Sequence, residues 1–96
     1  MTSNEHQQII NLIHSLAHQD KYMLRLHARQ RMNERGMTDS DVKDILTNVK
    51  RILRTDDNNP DGVTSYKIEG GIHNHRLAIK FNQDELIIII TVMDRH

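Results

Sequence analysis

Apolar residues recur every three or four positions in the first half of the chain and every second position in the second half. Ile9, Leu12, Ile13 and Leu16 share one helical face, which predicts a first helix from about Asn4 to His18, with Thr2 and Glu5 spaced as a capping box. A short, partly extended link through Lys21 and Tyr22 leads to a second helix striped by Leu24, Ala28 and Met32. Gly36 ends it, because glycine enters the left-handed region without a Cβ penalty. Thr38 and Asp41 start a third helix whose buried face is Val42, Ile45, Leu46 and Val49.

Beyond this point the period is that of strands. Arg51 to Thr55, Val63 to Glu69, Arg76 to Phe81 and Leu86 to Val92 read as four of them. Asp56 to Gly62, the stretch with Gly70, Gly71 and Asn74, and Asn82 to Glu85 supply the turns. The last strand is almost wholly β-branched, which predicts cover on both of its faces. Short connections imply hairpins, so the expected fold is α+β: N-terminal helices packed on one face of a C-terminal antiparallel sheet of about four strands. With 96 residues, a single domain is expected.

Composition narrows the chemistry. The chain has no cysteine, so disulfides, thiolate zinc sites and cysteine nucleophiles are excluded. Tyr22, Tyr66 and Phe81 are the only aromatics, which leaves an aliphatic core and few rings for stacking bases. The polar opening residues do not resemble a signal peptide, and the C-terminal apolar run is too short to span a bilayer. A soluble, cytoplasmic protein is the expectation.

Thirteen basic and thirteen acidic residues cancel overall but not locally. From Asp20 to Gly36, five cations (Lys21, Arg25, Arg29, Arg31, Arg35) oppose two acids, and Lys50, Arg51 and Arg54 form a second basic cluster. On a helix turning about 100° per residue, His27, Arg31 and Arg35 lie within about 80° of arc beside the apolar stripe, while Arg29 points away. An imidazole among fixed cations suits proton transfer at a phosphodiester, with the arginines stabilising the extra negative charge of the transition state. The same arginines also suit a purely structural role in covering the sheet edge or pairing with acids.

Lys67 and Arg76, on neighbouring strands, suit either a phosphate site or a solvated hairpin face. Thr91 interrupts an apolar run, so its hydroxyl needs a partner. His14 and His18 stand one helical turn apart, and His73-Asn74-His75 sits in a turn, but neither pair has a third metal ligand in a recognisable spacing. No Gly-rich phosphate loop, Ser-His-Asp set or paired-carboxylate signature is present.

The pattern His27-Ala28-x-x-Arg31-Met32-x-x-Arg35-Gly36-Met37-Thr38, followed by Asp41-Val42 and Ile45-Leu46, resembles the opening of the bacterial family known as domain of unknown function 4258. Tyr66-Lys67-Ile68-x-Gly70, Arg76-Leu77-Ala78-Ile79 and Leu86-x-x-x-x-Thr91-Val92 are similar to its strands. The resemblance covers Tyr22 to Met93, so residues 1–20 read as an added helix and 21–96 as the family-like core. It implies a fold related to RelE-like small toxins, whose members are ribonucleases paired with antitoxin proteins. On that basis His27, Arg31 and Arg35 are the expected catalytic residues and Lys67, Arg76 and Thr91 the expected substrate contacts. RNA, including ribosome-held mRNA, and a cognate antitoxin are the expected partners, with no cofactor or metal. The alternative expectation is a non-catalytic protein- or RNA-binding module, a degenerate relative of such toxins, using the same basic face.

Overall fold

The structure, a computed structural model, describes residues 3–83 and 86–93; the expected cap residue Thr2 and the Asp84–Glu85 part of the last turn lie outside them. The helix-period half forms α1 (Ser3–His18), α2 (Leu26–Arg35) and α3 (Asp39–Thr47), with a short strand, β1 (Tyr22–Leu24), before α2. The strand-period half forms β2 (Val49–Asp56), β3 (Ser65–Gly70), β4 (His75–Phe81) and β5 (Ile87–Met93). The capping box of α3 is in place: Thr38 Oγ1 accepts the Asp41 N–H at 3.2 Å, and the Asp41 carboxylate accepts the Thr38 N–H at 2.8 Å.

The sheet has five strands in the order β1-β5-β4-β3-β2, and it is mixed rather than antiparallel throughout. β2 to β5 pair antiparallel, whereas β1 lies parallel to β5. The fifth strand arises because Lys21 and Arg25 use the open side of β5: the Lys21 carbonyl accepts the Ile87 N–H at 3.0 Å and the Arg25 N–H reaches the Ile89 carbonyl at 3.1 Å. Three residues are too few to display a period of two, so sequence pattern alone merges Leu24 with the helical stripe. Val49, likewise assigned to the face of α3, opens β2 instead, after Asn48 has closed the helix on the Asp44 carbonyl.

One core cluster joins the elements. Ile13, Leu16 and Ala17 of α1, Ala28 and Met32 of α2, and Val42, Ile45 and Leu46 of α3 meet Ile52, Ile68, Leu77, Ile79, Ile87, Ile89 and Val92 of the sheet. These strand positions define the inner face. The other face carries Lys67, Glu69, Arg76, Ala78, Lys80 and Thr91 by alternation from the same pairings. β5 is fully buried only at Ile87, Ile89 and Val92; Ile88 and Ile90 are half-buried, so its second face is less covered than its composition suggests.

Where β3 passes the junction of α3 and β2, there is no room for a side chain. A Cβ on Gly70 would lie 2.5 Å from the Asn48 carbonyl oxygen and 2.8 Å from that of Ile45. Gly70→Ala must therefore move backbone rather than a flexible side chain. It is expected to lower unfolding free energy by about 1–3 kcal/mol in chemical denaturation, and an unchanged midpoint would contradict this packing.

Candidate functional site

α2 is stopped firmly at one end and left chemically bare at the other. Its N-cap, Arg25, is extended and makes no side-chain cap, and its first turn contains no acid. At the far end Gly36 takes φ 66°, and the Gly36 and Met37 N–H groups close on the carbonyls of Asn33 and Met32. Ala28 and Met32 are buried and fix the rotation of the helix. That rotation leaves His27 exposed, Arg31 partly exposed and Arg35 half-buried with its Nε shielded from solvent. Arg31 lies 3.4 Å from Glu34. Arg29, on the other side, lies 3.7 Å from Asp39.

Three strand irregularities arrange the outer face. Between Val49 and Arg51, between Ile52 and Arg54, and in β5 opposite the Ala78–Ile79 step, one strand gains a residue relative to its partner. The extra residues are Lys50, Leu53 and Ile90. As a result Arg51 stands opposite Glu69, Arg54 opposite Lys67, and Thr91 opposite Ala78. All are on the outer face.

The charges there are mostly matched. Glu69, only 7% exposed, bonds Arg51 Nε at 2.8 Å and Arg76 Nε at 3.0 Å. The Arg51 and then the Arg76 guanidinium hold its carboxyl below the usual carboxylate range. Lys80 bonds Asp61 at 2.5 Å, which likewise lowers the Asp61 carboxyl. The Arg54 guanidinium and the Lys67 ammonium have no hydrogen-bond or ion-pair partner among the described residues.

The structure therefore divides the expected site. Lys67, Arg76 and Thr91 share the outer face, but His27, Arg31 and Arg35 ride on a helix packed against the inner core, so the six do not converge. Arg76 is committed to Glu69. Arg51, Arg54 and Glu69 complete the outer face and are not visible as a set in the sequence, because strict alternation puts Arg51 and Arg54 on opposite faces. The available signal is the misfit itself: alternation sends Arg54 to the same face as the buried Ile52.

Two histidine pairs lie away from α2, His73 and His75 at the β3–β4 turn and His14 and His18 on α1. His73 and His75, with ring centroids 5.7 Å apart, border a small recess with Asp41, Asp44 and Gly71. Asp44 accepts the Ile72 N–H at 2.8 Å and the Asn48 amide at 2.8 Å, which ties the β3–β4 turn to α3. The Asp41 carboxyl is lowered chiefly by the Thr38 backbone N–H, with smaller help from His73 and His75. His14 has a buried Nε2, and burial followed by the proximity of His18 lowers its pKa. Among the described residues, no three histidine, aspartate or glutamate side chains are grouped to hold a metal, and no helix is long and apolar enough to cross a membrane.

A family model described as a domain of unknown function, DUF4258, matches residues 24–94. The chain belongs to the DUF4258 family. No curated protein and no solved structure matches it. The DUF4258 segment begins at Leu24, so α1 and most of β1 precede it, whereas the α2 row and the outer-face charges both lie inside it.

The Glu69 pairing has a pH signature. A carboxyl held low in the folded state contributes stability above the unfolded-state value of about 4.5, and that contribution disappears as pH falls through the lower folded value. Thermal unfolding is expected to show the natural chain more stable than Glu69→Gln at pH 7, with the gap closing below pH of about 4.5. A gap that does not change with pH would remove the ion-pair account.

Proposed function

We propose that this protein is a RelE-like toxin that cleaves RNA without a metal, using the α2 row as its catalytic surface. The observation that carries the reading is the exposure of His27 one turn from Arg31, on a helix whose first turn bears no acid. The order of elements, with helices preceding an antiparallel run of strands, supports a RelE-like relationship.

In this mechanism His27 accepts the proton of a ribose 2′-hydroxyl as that oxygen attacks the adjacent phosphorus. The bond from phosphorus to the 5′-oxygen breaks, that oxygen takes up a proton, and the products are a 2′,3′-cyclic phosphate and a 5′-hydroxyl. Arg31 and Arg35 offset the charge that builds on the phosphoryl oxygens. The fixed cations supply what a metal ion supplies in other nucleases. A cognate antitoxin would restrain the activity, and mRNA held on a ribosome would lower the intrinsic RNA affinity required.

A second reading is a non-catalytic binding module, favoured by the separation of the outer-face cations from His27. The two differ in one assay. Cleavage of RNA in EDTA is expected, with His27→Ala folding normally and losing about a hundredfold or more in rate. Binding without cleavage by the natural chain would support the module, and full activity of a folded His27→Ala would remove His27 as the base.

A further inference from the structure

Arg54 and Lys67 face each other across the β2–β3 ladder, an arrangement that is destabilising for like charges. It exists only because the chain accommodates Leu53 as an extra residue, which turns Arg54 to the outer face. Every other cation on the β2–β4 part of that face with a carboxylate in reach is bonded to it: Arg51 and Arg76 to Glu69, Lys80 to Asp61. The two remaining cations border a recess of about 230 Å³. Its floor includes Ala78, whose small side chain leaves the space open, and its wall includes Ser65. The Ser65 hydroxyl oxygen accepts the Asn59 amide at 3.0 Å, so its proton is directed elsewhere and can be donated.

From these observations we propose that Arg54 and Lys67 form a phosphate-binding site on the outer face of the sheet, for the phosphate of a monoester or diester. A guanidinium and an ammonium side by side, with a hydroxyl donor, match a tetrahedral oxyanion. Tyr66 borders the recess, but by alternation its ring lies on the inner face, packed edge-on against Phe81 at 5.9 Å, so the site grips phosphate and does not stack bases. Asp56 also borders the recess; its Oδ1 accepts the Asn58 N–H at 3.0 Å, and its charge opposes the ligand. The site goes beyond the α2 row and does not depend on cleavage there.

The test is an NMR titration of the amide-labelled full chain at fixed ionic strength, with inorganic phosphate, uridine 5′-monophosphate and a short single-stranded oligoribonucleotide in turn. Small phosphates are expected to shift the amides of Arg54, Ser65 and Lys67. Arg54→Gln and Lys67→Gln should each weaken binding by about tenfold, with Tm unchanged or raised because the like-charge opposition is gone. Asp56→Asn should tighten binding, and Arg29→Gln should leave it unchanged. The same shifts with the oligoribonucleotide support the site and assign it to a nucleic-acid strand; shifts with small phosphates alone support it and assign it to free phosphate compounds. Shifts confined to α2, or natural affinity in Arg54→Gln and Lys67→Gln, would overturn it. Since binding is read without cleavage, a chain that cuts no RNA but binds phosphate here removes the nuclease reading and keeps this site.

Discussion

A β-strand sends successive side chains to opposite faces, and one extra residue reverses the facing of everything beyond it. The arrangement of this molecule rests on that constraint. Ile52 and Ile68 must meet in the core, yet two residues after Ile52 comes Arg54, whose guanidinium would be costly to bury without a partner. Accommodating Leu53 as an extra residue resolves the conflict by sending Arg54 to the outer face opposite Lys67. Lys50 does the same for Arg51, and Ile90 for Thr91. Each irregularity weakens the hydrogen-bond ladder locally and keeps a polar side chain out of the apolar cluster.

The charges then sort by what they can reach. Glu69 serves two guanidinium groups, from β2 and β4, and so ties three strands together across the outer face. Asp61 holds Lys80. Arg54 and Lys67 remain, and their mutual repulsion is tolerated because both reach solvent. On α2, the buried Ala28 and Met32 set the direction of a second cationic row. A chain with thirteen charges of each sign thus presents two local basic surfaces, separated by the sheet rather than merged into one.

Much of the frame was legible in the sequence, for reasons that can be named. The i, i+3, i+4 stripes of α1 and α3, the Thr38–Asp41 cap and the Gly36 stop are local signals, and each works through neighbours in the chain. β1 was not legible, because three residues carry no period and the pairing that makes them a strand comes from β5, more than sixty residues away. The facing of Arg51, Arg54 and Thr91 was not legible either, since it depends on which residue is left unopposed. His27, Arg31 and Arg35 could be grouped from helical geometry alone. Lys67 and Arg76 share the outer face, but the capture of Arg76 by Glu69 is a cross-strand fact that spacing does not contain.

The central claim is that the α2 row and the outer-face pair are separate surfaces, each contacting its own phosphate. The most direct measurement is a double-mutant cycle of Arg31→Gln and Lys67→Gln on the affinity for a single-stranded oligoribonucleotide. Groups that share no contact should add, with a coupling energy within about 0.5 kcal/mol of zero. A coupling above about 1 kcal/mol would put both side chains on the same phosphate and contradict the separation.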